Sequence, residues 1–235
     1  MDGERMRSFW DERARESALY FVDNRLDYRN PDEAAFWSGG ESALLEILAS
    51  VGVAVSPDDD LLEIGCGVGR MTRPLARRAS AVLALDVSSE MLARARQLNP
   101  GLDNVEWLLG DGMTLGPVEN RSIDGCVSLV VFQHLPDPAL TLGYVREIGR
   151  VLRPGGWAVF QVSNDPGIHR RREVGALGRV KMALGREPRG QDDPAWLGSA
   201  VDPGELCSTA EAAGMVVEQT IGEGGQYCIV RLRRT

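Results

Sequence analysis

Three glycines at alternate positions, Gly65, Gly67 and Gly69, follow the apolar run Leu61-Leu62-Glu63-Ile64, and a helix-like stretch over 71–78 comes directly after Arg70. A strand that ends in glycines and turns straight into a helix lets a ligand approach the backbone closely, because glycine has no Cβ and tolerates positive φ. The helix start adds unpaired N–H groups and a partial positive charge. Such a turn is suited to a nucleotide. Acidic residues accompany it: Glu63 stands two positions before the first glycine, and Asp86 closes Ala84-Leu85-Asp86. An acid about twenty residues past the glycines can accept from both hydroxyls of a ribose. Asp111, in Gly110-Asp111-Gly112-Met113, can accept from an exocyclic amino group such as that of adenine. Each residue has a plainer reading as a turn former or helix cap. Falling at successive strand ends, they describe together a crevice for an adenosine moiety.

The elements that must position these residues alternate from residue 60 onward. Strands are expected at 60–64, 81–85, 105–109, 123–130 and 157–163, with helices at 70–78, 89–98 and 139–152 between them. This rhythm predicts a Rossmann-like α/β fold with a doubly wound sheet, right-handed crossovers and a binding crevice at the carboxyl ends of the strands. A helix at 203–213 and strands at 216–221 and 227–233, joined by Gly222-Glu223-Gly224-Gly225, end the sheet in an antiparallel pair, for seven strands in all. Upstream, 4–19 and 31–51 read as helices, the second interrupted at Ser38-Gly39-Gly40. Residues 164–200 break the alternation as an insertion, with helix at 173–184 and a mobile end at 185–194. The expected organisation is one domain: a helical lid (1–52), a cofactor-binding core (53–163), a substrate-side insertion (164–200) and a C-terminal helix with a strand pair (201–235).

Composition narrows the function. A net charge of −8 and a pI of about 4.9 argue against a nucleic-acid substrate. One basic stretch, His169-Arg170-Arg171-Arg172 with Arg179, Lys181, Arg186 and Arg189, reads either as a site for an acidic substrate or as a solvated helix face. The four cysteines are scattered without metal-ligand spacing, and no metal site is expected. The charged N-terminus lacks the apolar core of a signal peptide and no apolar run is long enough to span a membrane, so a cytoplasmic protein without membrane association is expected. The oligomeric state is not legible.

The combined pattern resembles class I S-adenosylmethionine-dependent methyltransferases. Glu63-Ile64-Gly65-Cys66-Gly67-Val68-Gly69 is similar to that family's first motif. Asp86 matches its ribose-binding acid and Asp111-Gly112 its adenine contact. Ser122-Ile123-Asp124-Gly125-Cys126-Val127-Ser128 through His134-Leu135-Pro136-Asp137 matches the fourth-strand motif, and Leu152-Arg153-Pro154-Gly155-Gly156 the turn before strand five. The resemblance covers residues 35–165 and implies S-adenosyl-L-methionine as cofactor. It places Glu63, Gly65, Cys66, Gly67, Gly69, Asp86, Val87, Asp111, Gly112, Met113 and Leu129 around the cofactor, with Trp10 and Ser38 from the lid. Arg70 either reaches the cofactor carboxylate or is solvated.

Methyl transfer from a sulfonium is an in-line displacement, which the protein serves by alignment and water exclusion. Phe132, Trp10, Tyr20 and Trp37 are aromatic candidates for facing the cation. His134 reads either as the general base or as a wall of the cofactor pocket. Tyr20, Phe132, Gln133 and His169 are candidates for substrate contact. The absence of an asparagine-proline-proline-aromatic sequence after strand four, where Leu129-Val130-Val131-Phe132 stands, favours a small organic acceptor. A non-catalytic cofactor-binding protein and a nicotinamide-dependent reductase stay open. The reductase is disfavoured by the G-x-G-x-G spacing and by Lys181, the sole lysine, standing apart from any suitable tyrosine.

Overall fold

The computed structural model describes residues 3–170 and 187–235. In chain order the elements are α1 (Gly3–Val22), α2 (Glu33–Ser50), β1 (Asp60–Ile64), α3 (Thr72–Ala76), β2 (Ala81–Asp86), α4 (Ser89–Leu98), β3 (Val105–Leu109), β4 (Ile123–Ser128), α5 (Pro138–Val151), β5 (Leu152–Val162), α6 (Pro194–Leu197), α7 (Pro203–Ala212), β6 (Met215–Ile221) and β7 (Cys228–Arg234). The expected helix at 173–184 lies outside the described residues.

The strands form one seven-stranded sheet in the order β3-β2-β1-β4-β5-β7-β6. Strands β1 to β5 run parallel, and β7 pairs antiparallel with both β5 and β6. The strand order reverses between β1 and β4, so a crevice opens there at the carboxyl edge. Successive strand residues point to opposite faces, and both faces are covered. Leu62, Cys126 and Phe160 pack with Tyr144, Val145 and Ile148 of α5 and Leu206 of α7. Leu61, Val127 and Val159 pack with Leu44 and Leu48 of α2 and Leu75 of α3. This two-sided burial is why the central strands read as nearly continuous apolar runs.

Helix boundaries follow side-chain caps. Asp32, Ser88, Asp137 and Asp202 each accept from an N–H in the first turn of the helix that follows, which fixes the starts of α2, α4, α5 and α7. Three expectations are corrected. Helix α2 runs unbroken through Ser38-Gly39-Gly40. Its glycines serve close packing, since a Cβ on Gly40 would lie 2.5 Å from Arg70 Cγ. The helix expected over 70–78 is confined to Thr72–Ala76, because Gly69 and Arg70 belong to the turn. Helix α1 is longer than 4–19 and is kinked at Ser17, whose φ of −165° and ψ of 83° are not helical. Among the described residues no helix is long and apolar enough to cross a membrane.

Candidate active site

A cleft lies over the carboxyl edge at the β1–β4 switch point. One side is built by backbone. Gly65 and Gly67 line it with φ of 74° and 54°, in the left-handed region. A Cβ on Gly65 would stand 2.3 Å from Val131 Cγ2, and one on Gly67 2.9 Å from Val22 Cγ2. Only glycine combines that conformation with that closeness. Asp86 ties the turn down: its Oδ2 accepts from the Gly67 N–H at 2.8 Å and its Oδ1 from the Ser88 N–H at 2.8 Å. Burial pushes the Asp86 carboxyl up to about 6, against the lowering by those N–H groups. Beneath the turn Glu63 is buried and accepts from the Thr72 hydroxyl at 2.6 Å. Burial and the nearby Asp86 raise its pKa to about 7, against the lowering by Thr72. Val87 and Gly112 complete this side.

The rest of the lining is largely aromatic and apolar. Met6, Trp10 and Phe21 from α1, Leu135 and His134 after β4, and Tyr144 from α5 contribute to it. Trp10 packs edge-on to His134 at 5.7 Å, and Trp196 of α6 backs both, its ring centre 5.3 Å from His134 and 6.3 Å from Trp10. Helix α1 is held over the cleft by Arg7, which donates to the carbonyls of Val87 (3.2 Å) and Gly110 (3.0 Å). Asp11 accepts from the Ser88 hydroxyl at 2.6 Å and the Glu90 N–H at 3.1 Å. Leu129 and Val130, also in the lining, carry the chain out of β4, and Val130 adopts φ 61°, rare for a β-branched residue.

Residues 62–160 match the family model described as a methyltransferase domain. The chain is 27% identical over 164 residues to a ubiquinone biosynthesis O-methyltransferase of Paracidovorax citrulli, spanning 69% of this chain and 65% of that one. A relative of the same name in Pseudomonas entomophila is 30% identical over 165 residues, with 69% of this chain and 66% of that one spanned. The chain thus spans just under two thirds of the length of these relatives. The chain also superposes on a phosphoethanolamine N-methyltransferase of Haemonchus contortus with a TM-score of 0.71 at 14% identity, over 98% of this chain and 48% of that one. It superposes on a geranyl diphosphate C-methyltransferase of Streptomyces coelicolor with a TM-score of 0.59 at 16% identity, over 83% of this chain and 78% of that one. Residues 62–160 thus carry a methyltransferase domain, and the chain is similar to S-adenosylmethionine-dependent methyltransferases. The Rossmann-like fold with its reversed last strand is that of the family.

Of the residues singled out in the sequence, the fold brings Gly65, Gly67, Asp86, Val87, Gly112, Leu129, Trp10 and His134 together in the cleft. Others it places elsewhere. Glu63 and Cys66 are buried under the turn, where burial holds the Cys66 thiol well above its ordinary range. Gly69 packs on Asn99 and Trp107. Arg70 is buried in an ion pair with Asp23 at 2.7 Å and donates to the Phe36 carbonyl at 3.1 Å, so it anchors α2 to the turn. The Asp111 carboxylate is held in its own turn, accepting from the N–H groups of Met113 (2.8 Å) and Thr114 (2.7 Å). Those bonds outweigh burial and keep its pKa low. Met113 is exposed, and the Ser38 hydroxyl donates back to Ala34 within α2.

Phe21 rather than Tyr20 lines the cleft, and Tyr20 packs on Phe21 and Tyr28. Phe132 is core, between Tyr144 and Phe160. Trp37 packs on Phe36 beneath the Arg73 guanidinium. Gln133 is buried behind His134. His169 hydrogen-bonds Ser163 Oγ at 2.8 Å and the Leu197 carbonyl, which pins the chain after β5 to α6. Of the basic stretch, residues 171–186 lie outside the described residues. Sequence reasoning missed Met6, Val22, Met91, Tyr144 and Trp196. Met6 stands four residues before Trp10 on one helix face, a signal that spacing alone could have supplied.

Proposed function

We propose that this methyltransferase transfers the methyl group of S-adenosylmethionine to a hydroxyl oxygen of a small, largely apolar aromatic acceptor. The observation that carries the reading is one cleft whose lining joins two glycines and a carboxylate to aromatic side chains. The cofactor fits the first side. The two left-handed glycines let the turn line the cleft with backbone alone, and Asp86 offers lone pairs beyond its two N–H bonds for the ribose hydroxyls. Val87 packs beside the base, and the backbone at Leu129 accepts from the ammonium. When bound, the cofactor supplies a methyl carbon already activated by its sulfonium. The chain's own work is then alignment and exclusion of water. Trp10, Phe21 and His134 hold the acceptor against the cofactor side. Asp86 is the only charged side chain lining the cleft among the described residues, which favours an uncharged acceptor.

The relatives' name, O-methyltransferase, supports oxygen as the accepting atom. The acidic net charge supports a small molecule over a nucleic acid. In the same proposal 53–163 is the cofactor-binding core of a single domain, closed by 201–235, and 1–52 and 164–200 are its substrate-side additions. The protein works in the cytoplasm.

The test is calorimetric titration with S-adenosylmethionine, S-adenosylhomocysteine and NAD(H), followed by labelled-methyl transfer to a panel of phenols, amines and carboxylic acids. Binding of the first two, with label entering phenols, is the expected result. Binding of NAD(H) alone, cofactor binding without transfer to any acceptor, or label entering only amines or acids would overturn it.

A further inference from the structure

Four hydrogen bonds run in series behind the acceptor wall. The Val130 N–H meets Gln161 Oε1 at 3.2 Å, and Gln161 Nε2 meets Gln133 Oε1 at 2.8 Å. Gln133 Nε2 meets His134 Nε2 at 3.2 Å, and His134 Nδ1 meets the Trp196 carbonyl at 2.8 Å. The two ends have one role each, since a backbone N–H only donates and a carbonyl only accepts. Every direction between them follows. Gln161 turns its oxygen to Val130, so its NH2 faces Gln133. Gln133 turns its oxygen to Gln161, so its NH2 faces His134. Nε2 of His134 must therefore accept, and Nδ1 must carry the proton. Both glutamines are at most 5% exposed, so neither amide can reverse and exchange its lost bond for water. The chain begins at strained Val130 and ends on α6, so it also ties the exit of β4 to the far wall.

We propose that Gln161 and Gln133 are positioning residues that hold His134 as a neutral imidazole, protonated on Nδ1 alone, in the wall of the cleft. Its purpose rests on the methyl-transfer reading: an imidazolium at this wall would repel a cationic methyl donor, and a neutral ring does not. Burial acts in the same direction and takes the His134 pKa down to about 4. The titratable groups around the ring are His169 from the chain after β5, whose charge lowers it further, and Asp86 of β2 and Tyr144 of α5 in the same cleft. Helices α1 and α6 present the rings of Trp10 and Trp196 to it. Because the Nε2 lone pair is engaged by Gln133, His134 is a wall in this state rather than a free base.

The sequence contains two histidines, so nitrogen-15 NMR of histidine-labelled full-length protein resolves the question, with His169→Asn to assign the signals. The expected spectrum shows His134 as the Nδ1–H tautomer without titration between about pH 5 and 8. Gln133→Glu places an acceptor-only carboxylate at Nε2, which must then donate. His134 should become an imidazolium, its pKa rising by about 2 units or more. Gln161→Glu, which forces the Gln133 amide to reverse, should raise it in the same direction and serves if the first variant does not fold. A wild-type Nε2–H tautomer, titration near the ordinary histidine value, or no change in either glutamate variant would overturn the proposal. The readout needs no cofactor, so its failure leaves the methyl-transfer reading intact, and failure of cofactor binding leaves the relay intact.

Discussion

The part of the cleft proposed for the cofactor is drawn from short runs at adjacent strand ends, residues 64, 65, 67, 85–87 and 112, whereas the part proposed for the acceptor is assembled from α1, the turn after β4 and α5. The first side works through backbone: two left-handed glycines, the N–H groups they free and one carboxylate that accepts from the turn. The second works through side chains whose positions depend on contacts across the whole chain, Trp10 on His134 and His134 on Trp196. A backbone device needs particular residues at particular spacings and leaves a motif. A side-chain wall needs only apolar bulk arriving from several directions, and leaves almost none.

Four substitutions break or sharpen this contrast. The largest effect is expected from Gly65→Ala, which puts a Cβ 2.3 Å from Val131 Cγ2 on a backbone with φ 74°. It should cost about 2–4 kcal/mol of stability in urea denaturation and more than about tenfold in cofactor affinity. Unchanged affinity would remove the turn from the site. Asp86→Ala deletes the acceptor of the Gly67 and Ser88 N–H groups and of the ribose hydroxyls, and calorimetry should show a loss of about 1.5–3 kcal/mol in cofactor binding.

Glu63→Gln separates support from contact. The Glu63 carboxyl keeps its proton to about pH 7 in the folded chain, against 4.5 ordinarily. The folded state therefore binds the extra proton between those values, and the associated stability, full below the unfolded pKa, is lost as pH rises through the folded one. The variant should be more stable than the parent by about 1–3 kcal/mol near pH 8 and nearly equal to it near pH 4.5, by denaturation without cofactor. Equal stability at both pH values would contradict the burial of this acid. The smallest effect is assigned to Trp10→Ala. It should leave cofactor affinity within about threefold and lower kcat/KM for the acceptor about tenfold, one lost aromatic contact. A cofactor defect matching that of Asp86→Ala would move Trp10 to the other side.

What was legible follows the same division. The seven strands, their order of direction and the helices of the core could be read because strands buried on both faces are apolar throughout and because Ser88, Asp137 and Asp202 mark helix starts. Gly65, Gly67 and Asp86 stand out in the sequence for their fixed spacing, and all three line the cleft. Arg70 and Asp111 show that a residue inside a motif can serve the turn itself: Arg70 pairs with Asp23, and Asp111 caps its own loop. The acceptor wall was mostly hidden. Ser17 gives no sign in the sequence that it kinks α1, and it is Phe21, not Tyr20, that lines the cleft. Trp196 sits in a four-residue helix whose contact with His134 spans 62 positions of chain. Gln161 reads as one polar residue in a buried strand until its partners are seen.

The most direct test of a cleft with two separately built sides is calorimetric titration of S-adenosylhomocysteine into the parent, Asp86→Ala and Trp10→Ala proteins. The account predicts one-to-one binding by the parent, weakened by about tenfold or more in Asp86→Ala and nearly unchanged in Trp10→Ala. No binding by the parent, or equal losses in the two variants, would contradict it.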